Sequence, residues 1–435
     1  MTFPYEDLAA ELSRETDEQP PLKIQRTDPP TDVQELVKGM DACKLDDLHR
    51  QKLKALMVYD PKRKCDVPSR FCSIHLACFD LDEKSTAKIG PRYERDRDPL
   101  SSTTRLTKYV VGNTHYELAD YSTQVISIRV VKVGPAYKYP VEVYGTVIAR
   151  DEIDCKCVYL FNRERKDAQT IKSKKDMLAL TGPYRALVTL GYMYFEFDLK
   201  TKGKNPDDEV QFSKGVIVYY FNPDRRRIID QLPSFQSTVK LVLEHVKLPV
   251  AAILKVSVEN KETNDPLVHW DGKITAGTTK NYRHHMVLYD SSVRSGNLVG
   301  ENGSLLLNRN LVAVNGYPQG HRGKEDEILV LYVCFLDASC EIEDKDKVAP
   351  EEEDYGQQDQ DGEEEEEEEE KEPKNVVTLE YPATETVWEH DSTKLTVKVD
   401  WTAVLDRLVG TDCLHGYPSV PQGCSIDYRY GIIYE

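Results

Sequence analysis

The run Gln124-Val125-Ile126-Ser127-Ile128-Arg129-Val130-Val131-Lys132-Val133 constrains this chain more than any other feature. Ile126, Ile128 and Val130 fall on one face, with Val125, Ser127, Arg129 and Val131 on the other. Successive side chains of a strand point to opposite faces, so one apolar and one mixed face predicts a half-buried strand. The many β-branched side chains suit a pleated surface as well. Similar segments recur beyond Phe71, at 141–148, 158–161, 186–190, 193–199, 216–221, 239–246, 251–258, 286–289, 305–314 and 328–336. Turn residues such as Thr181-Gly182-Pro183, Asn222-Pro223-Asp224 and Glu301-Asn302-Gly303 separate them. Many short strands with polar turns and few long helical patterns predict an all-β chain, an antiparallel β-sandwich or barrel-like domain. Pro140-Val141 echoes Pro249-Val250, and Ala186-Leu187-Val188-Thr189-Leu190 echoes Asn310-Leu311-Val312-Ala313-Val314. Such echoes hint at a degenerate duplication, although strand-rich sequence produces them easily.

Charge divides the chain further. The net charge is −18, but residues 341–372 hold 19 acidic side chains against Lys345, Lys347 and Lys371, a local −16. The remainder carries 54 basic and 56 acidic residues, so it is nearly neutral. An acidic run with almost no apolar residues buries too little to fold alone, and like charges extend it. The sequence therefore predicts a mobile N-terminal arm over 1–65, a β-rich domain over 66–340 and a disordered acidic linker over 341–374. Strands over 375–402 are expected to rejoin the β domain, and a tail covers 403–435. In the arm, Leu8 and Leu12 suit a short helix. Thr31-Asp32 suits the cap of a second helix towards Leu56, with Val33, Leu36, Val37 and Met40 on one stripe.

The ten cysteines have no secretory leader before them, since Met1-Thr2-Phe3-Pro4-Tyr5-Glu6-Asp7 lacks a basic start and an apolar core. They read as reduced thiols in a cytoplasmic or nuclear protein. Nowhere do 18 apolar residues run together, so no membrane span is expected.

Chemical motifs are sparse. Cys72, His75 and Cys78 have ligand-like spacing, but on a strand His75 would face away from both thiols. Cys155 and Cys157 share a face without an obvious partner, so buried structural thiols are the preferred reading and no metal is assigned. His284-His285 would point to opposite faces. No Gly-x-Ser-x-Gly elbow or phosphate-binding loop appears. Arg225-Arg226-Arg227, like Lys172, Lys174 and Lys175, is read as a solvated turn ahead of a phosphate site.

Several segments fall together in a recognisable order. They are Val143-Tyr144-Gly145-Thr146-Val147-Ile148-Ala149-Arg150-Asp151, Leu160-Phe161-Asn162-Arg163, Leu180-Thr181-Gly182-Pro183-Tyr184-Arg185 and Phe195-Glu196-Phe197-Asp198-Leu199-Lys200. Phe212-Ser213-Lys214-Gly215, Asp271-Gly272-Lys273-Ile274-Thr275-Ala276 and Val287-Leu288-Tyr289-Asp290-Ser291 follow. Over roughly 71–336 the chain strongly resembles DUF6598, a plant domain family of the grasses. The resemblance implies a β-rich fold and brings no established activity. Within the signature, Gly145, Gly182 and Gly203 suit positive φ or close strand approach. Arg150, Asp151, Asn162, Arg163 and Arg185 are the candidate binding residues, polar groups at strand ends that either pair with one another or line a ligand site. Pairing is the preferred reading.

Two functions follow as expectations. Some similar plant domains occur in proteins resembling the jasmonate-induced 60 kDa protein, which joins a ribosome-inactivating domain to another region. Such N-glycosylases use a Glu-x-x-Arg pair on a buried apolar helix. Here only Glu11 with Arg14 and Glu94 with Arg97 have that spacing, both in polar or short segments. The favoured expectation is a non-catalytic protein-interaction module, tied to stress or defence, with no catalytic residues and no cofactor. Its partner is expected to be a protein, basic if the acidic run attracts it, and neither a nucleic acid nor a membrane.

Overall fold

The period-two segments become antiparallel ladders in the computed structural model. It describes residues 42–335 and 376–408, apart from short interior stretches (chiefly 94–107, 203–208, 280–285, 294–298 and 317–327), together with 425–427 and 432–434. Helix α1 (Ala42–Leu56) comes first. The predicted cap and stripe before it lie outside the described residues. Ser69 closes the helix end, donating its N–H and its Oγ–H to Leu56 O at 2.9 and 2.7 Å. A hairpin follows, β1 (Met57–Asp60) with β2 (Cys65–Pro68), and then a small ladder of β3 (Lys108–Val111) and β4 (Thr114–Leu118).

The next nine strands are β5 (Tyr121–Val133), β6 (Val141–Arg150), β7 (Val158–Arg163), β8 (Gln169–Ile171), β9 (Leu187–Val188), β10 (Tyr192–Lys202), β11 (Glu209–Tyr220), β12 (Arg227–Ser234) and β13 (Ser237–Lys247). They form two sheets, ordered β11-β10-β6-β7 with β8 beside β6, and β12-β13-β5-β9. Val125, Ile128, Phe161, Phe195, Phe197, Phe212 and Leu241 fill the core between them. Both sheets stay open, so the first unit is a sandwich and not a closed barrel.

A second unit repeats the plan. Its strands are β14 (Pro249–Asn260), β15 (Gly272–Thr278), β16 (Met286–Asp290), β17 (Leu311–Asn315), β18 (Leu329–Phe335), β19 (Val376–Leu379), β20 (Glu385–His390) and β21 (Thr393–Ala403). The sheets are β19-β18-β15-β16 and β20-β21-β14-β17. Leaving β8 aside, these orders match those of the first unit strand for strand in chain order. The fold is a tandem pair of like-wound sandwiches. The echo of 186–190 in 310–314 marks equivalent strands, β9 and β17. The Pro-Val echo does not, because Val141 opens β6 whereas Pro249 opens β14, the counterpart of β5. Strand β22 (Leu405–Leu408) pairs with β4, and a short hairpin of β23 (Ser425–Asp427) and β24 (Ile432–Tyr434) follows.

Three local readings change. The register of β5 against β13 slips beside Ile126, so Val125, Ile128 and Val130 enter the first core while Ile126 turns to the second. A bulge sets two residues against one and reverses the alternation there. Cys72 does not lie on a strand; it precedes a short 3-10 turn at Leu76–Cys78. Finally, Arg227 opens β12, because Ile228 and Leu232 bury one side of that edge strand.

The sandwiches meet through β5, β9, β14 and β17. Val188, Ala251 and Leu311 pack together, with Ile153 and Ile253 against them. Gln124 of β5 reaches across, donating Nε2–H to Ala313 O at 2.8 Å and accepting Ala313 N–H on Oε1 at 2.9 Å. Its side-chain amide thus takes the place of a neighbouring strand for β17.

Candidate functional site

Arg150 ends β6, beside the point where the chain from 70 to 85 crosses the outer face of the β10–β11 ladder. Phe71, Ile74, Phe79 and Leu81 pack there on Tyr194, Val216 and Val218. Glu196, between Phe195 and Phe197, points out of the core and would face water without this cover. With it, Glu196 is 4% exposed and Arg150 fully buried. Arg150 donates Nε–H to Glu196 Oε1 at 2.7 Å, and its other nitrogens reach Cys155 O at 2.9 Å and Leu81 O at 2.6 Å. Glu196 also accepts the Phe71 N–H at 2.8 Å and Arg70 Nε–H at 3.2 Å. The Arg150 guanidinium lies 5.5 Å from the Phe71 ring centre. One carboxylate between two guanidiniums pins the covering segment to the sheet.

The adjacent residue repeats the device. Asp151 takes a two-pronged pair from Arg185, at 2.6 Å (Nη1 to Oδ2) and 2.9 Å (Nη2 to Oδ1), and accepts the Val188 N–H at 3.0 Å. Arg185 further donates to Ser85 Oγ at 3.0 Å, and Ser85 donates to Asp154 at 2.7 Å. Burial works against the Arg185 charge, but the Asp151 carboxylate raises its pKa above the ordinary value. A planar fork facing a carboxylate gives two charge-assisted bonds at once. Burial pushes the neighbouring Cys155 thiol up to about 12 and Cys72 to about 11, so neither is a reactive thiolate at neutral pH.

Of the five candidate residues, Arg150, Asp151 and Arg185 therefore come together in internal ion pairs. Asn162 and Arg163 do not join them. They pair with Thr146 and Gly145 farther back along β6. Asn162 is exposed, while Arg163 is buried with its guanidinium 5.9 Å from the Phe161 ring and an ion pair to Asp167 at 3.3 Å. Gly145 adopts φ +113°, and a Cβ there would meet Asp198 O at 2.2 Å. Gly182 is required by approach alone, since a Cβ would lie 2.1 Å from Tyr159 O. Gly203, His75, His284-His285 and both Glu-x-x-Arg pairs lie outside the described residues. Of the arginine turn, Arg226 is paired with the buried Glu244 at 2.7 Å.

The sequence reading missed Glu196, Ser85 and Arg70, which complete the pairs. Glu196 alone left a signal, a carboxylate between two core phenylalanines. A second missed group is His245 of β13, whose Nδ1 lies 2.9 Å from Thr123 Oγ1 and Nε2 2.7 Å from Tyr219 OH. Burial lowers its pKa to about 4, so it is neutral at pH 7. Among the described residues no cluster of three or more His, Cys, Asp or Glu is arranged to hold a metal. No described helix is long and apolar enough to cross a membrane.

A family model described as "Domain of unknown function (DUF6598)" matches residues 122–367, more than half of the chain. No curated protein matches. A solved structure of a pair of C2-type domains from Extended-Synaptotagmin 2 is similar, with 8% identity over 71% of this chain and 99% of that chain. Its TM-score is 0.20, too low to carry any inference.

Proposed function

The chain belongs to the DUF6598 family, and on that premise we propose that it is a non-catalytic protein-interaction module whose acidic segment engages a basic protein. One observation carries the reading: the −16 segment 341–372 lies between β18 and β19, neighbouring strands of one ladder. The equivalent connection in the first sandwich, between β10 and β11, is only the short stretch from Lys202 to Glu209. A long insertion between rigid neighbouring strands is a usual place for binding function. Concentrated negative charge there speeds encounter with cationic surfaces and falls in effect as salt rises. Arg150, Asp151 and Arg185 are occupied by internal partners, so the reading places recognition on the insertion and leaves these three a positioning role. Histones and ribosomal proteins have the required chemistry, which suits a cytoplasmic or nuclear location. A grass origin, kinship with the non-toxin region of jasmonate-induced proteins and a stress or defence role belong to the same proposal.

The test is titration of purified core histones into the full chain and into a chain lacking residues 345–372. Tight binding by the full chain, weakened at least about tenfold by the deletion (about 1.4 kcal/mol), supports the reading. Equal binding by both chains, or none by either, overturns it. The ribosome-inactivating alternative is read separately, as adenine released from ribosomes. Release abolished by Glu94→Gln or Glu11→Gln would replace the binding module with an enzyme.

A further inference from the structure

The segment Gly215-Val216-Ile217-Val218-Tyr219-Tyr220-Phe221 carries no charge and no proline. Its last six residues, Val216 to Phe221, are all of high β-propensity, and such a run readily recruits another strand wherever its edge is bare. In the fold, 215–220 form the C-terminal half of β11, an outer strand of its sheet.

Alternate residues of an edge strand turn their N–H and C=O groups away from the sheet. In β11 the outward set is identified by its partners. Lys214 N–H donates to Ser234 Oγ at 2.7 Å, and Lys214 O accepts the Ser234 hydroxyl at 2.9 Å. Phe212 O accepts from Gln236 N–H and Ser237 Oγ–H, both at 3.0 Å. The next outward residues are Val216, Val218 and Tyr220, and their outward groups have no hydrogen-bond partner among the described residues. The side chain of Tyr220 is 62% exposed, with its ring centre 4.8 Å from that of Tyr192.

Three other described edges, β12, β17 and β19, are protected. On β12 the outward positions are Arg227, Ile229, Gln231 and Pro233; the proline has no N–H, and Arg63 Nε–H covers its carbonyl at 2.8 Å. On β17, Gln124 covers Ala313. In the second sandwich the counterpart of β11 is β19, four residues long and preceded by the acidic run. Charge, proline and short length are the usual protections of an edge. The second half of β11 has none of them.

We infer that the edge Val216–Tyr220 is an interaction surface for a second copy of this chain, the two β11 strands pairing antiparallel about a two-fold axis at Val218. An uncharged edge cannot select a partner by charge, so side-chain fit must decide. Two-fold pairing sets Val216 opposite Tyr220 and Ile217 opposite Tyr219, each twice. Aromatic residues opposite β-branched ones are among the favourable cross-strand pairs. The three outward residues of each copy then exchange about six backbone hydrogen bonds, making one continuous sheet from two. Neither the acidic segment nor a basic partner takes part, so this inference stands apart from the proposed function.

Analytical ultracentrifugation of the full chain over a range of concentrations reads the dimer, and hydrogen exchange reads its position. A reversible dimer is expected, with the Val216, Val218 and Tyr220 amides protected in concentrated samples and not in dilute ones. Tyr220→Lys and Val218→Lys set like charges near or across the axis and should weaken dimerisation at least about tenfold (about 1.4 kcal/mol). Ile229→Lys on β12 should leave it unchanged. A chain monomeric at every soluble concentration overturns the inference. So does a dimer in which those three amides exchange as fast as in the monomer, a readout that does not depend on any variant folding.

Discussion

The two sandwiches share one strand order and differ in where they put their closest ion pairs. In the first, carboxylates and guanidiniums are buried, as Arg150 with Glu196 and Asp151 with Arg185. In the second, ion pairs such as Lys255 with Asp400 and Lys261 with Glu389 lie across exposed ladders. Its core relies on Trp270, Tyr289 and Trp401. The difference follows what each sheet supports. The first holds down the segment 70–85, which buries Glu196 and obliges it to find cations. In the second, β15 ends in Thr278 where β6 ends in Arg150, so no arginine stands at the matching place. Apolar alternation sets the common topology; ionic detail appears where an added segment must be fixed.

The sharpest way to break this comparison is Glu196→Ala. It leaves Arg150 and Arg70 without their shared carboxylate and should destabilise the first sandwich by about 3–5 kcal/mol. All three tryptophans, Trp270, Trp388 and Trp401, lie in the second sandwich. Urea unfolding followed by circular dichroism should therefore shift to a lower midpoint while the tryptophan fluorescence midpoint stays. Equal shifts in both would mean that the sandwiches unfold as one unit.

Acid should separate them next. His245 titrates near 6.5 unfolded and near 4 folded, so the unfolded chain binds the extra proton between these values. Stability from this group is complete above about pH 6.5 and declines as pH falls towards 4, by at most about 3 kcal/mol. In the second sandwich His269 is exposed and His390 half-buried. The loss should appear in the first sandwich and be flattened by His245→Gln; an unchanged pH profile in that variant would refute it. Smaller still is Lys255→Ala, which removes an exposed pair and should alter stability by no more than about 1 kcal/mol. Deleting residues 345–372 should move the melting midpoint by less than about 4 °C, because loop-closure entropy changes slowly with length. A larger drop would show that the second sandwich depends on its insertion.

Strand content was legible because runs such as 239–246 and 251–258 satisfy the period-two pattern unaided, and β13 and β14 occupy them. β12 and β20 were not, since Arg227, Asp230, Glu385 and Glu389 give an edge strand the look of a turn. The slip at Ile126 was invisible because a bulge depends on the partner strand. The pairing of Arg150, Asp151 and Arg185 was half legible: the charges stood out at strand ends, but their partners Glu196 and Ser85 are 46 and 100 residues away. Glu196 looks like a solvent-facing residue until a distant segment covers it.

The amide of Gln124 has a consequence under heat. It occupies the free groups of Ala313 on β17, whose sequence Leu311-Val312-Ala313-Val314-Asn315 carries no charge. Parting the two sandwiches, even with each still folded, uncovers that strand. Hinge opening alone thus creates a second adhesive site per molecule, and a molecule with two such sites can grow into a chain of indefinite length. Aggregation on warming would then begin before either core melts.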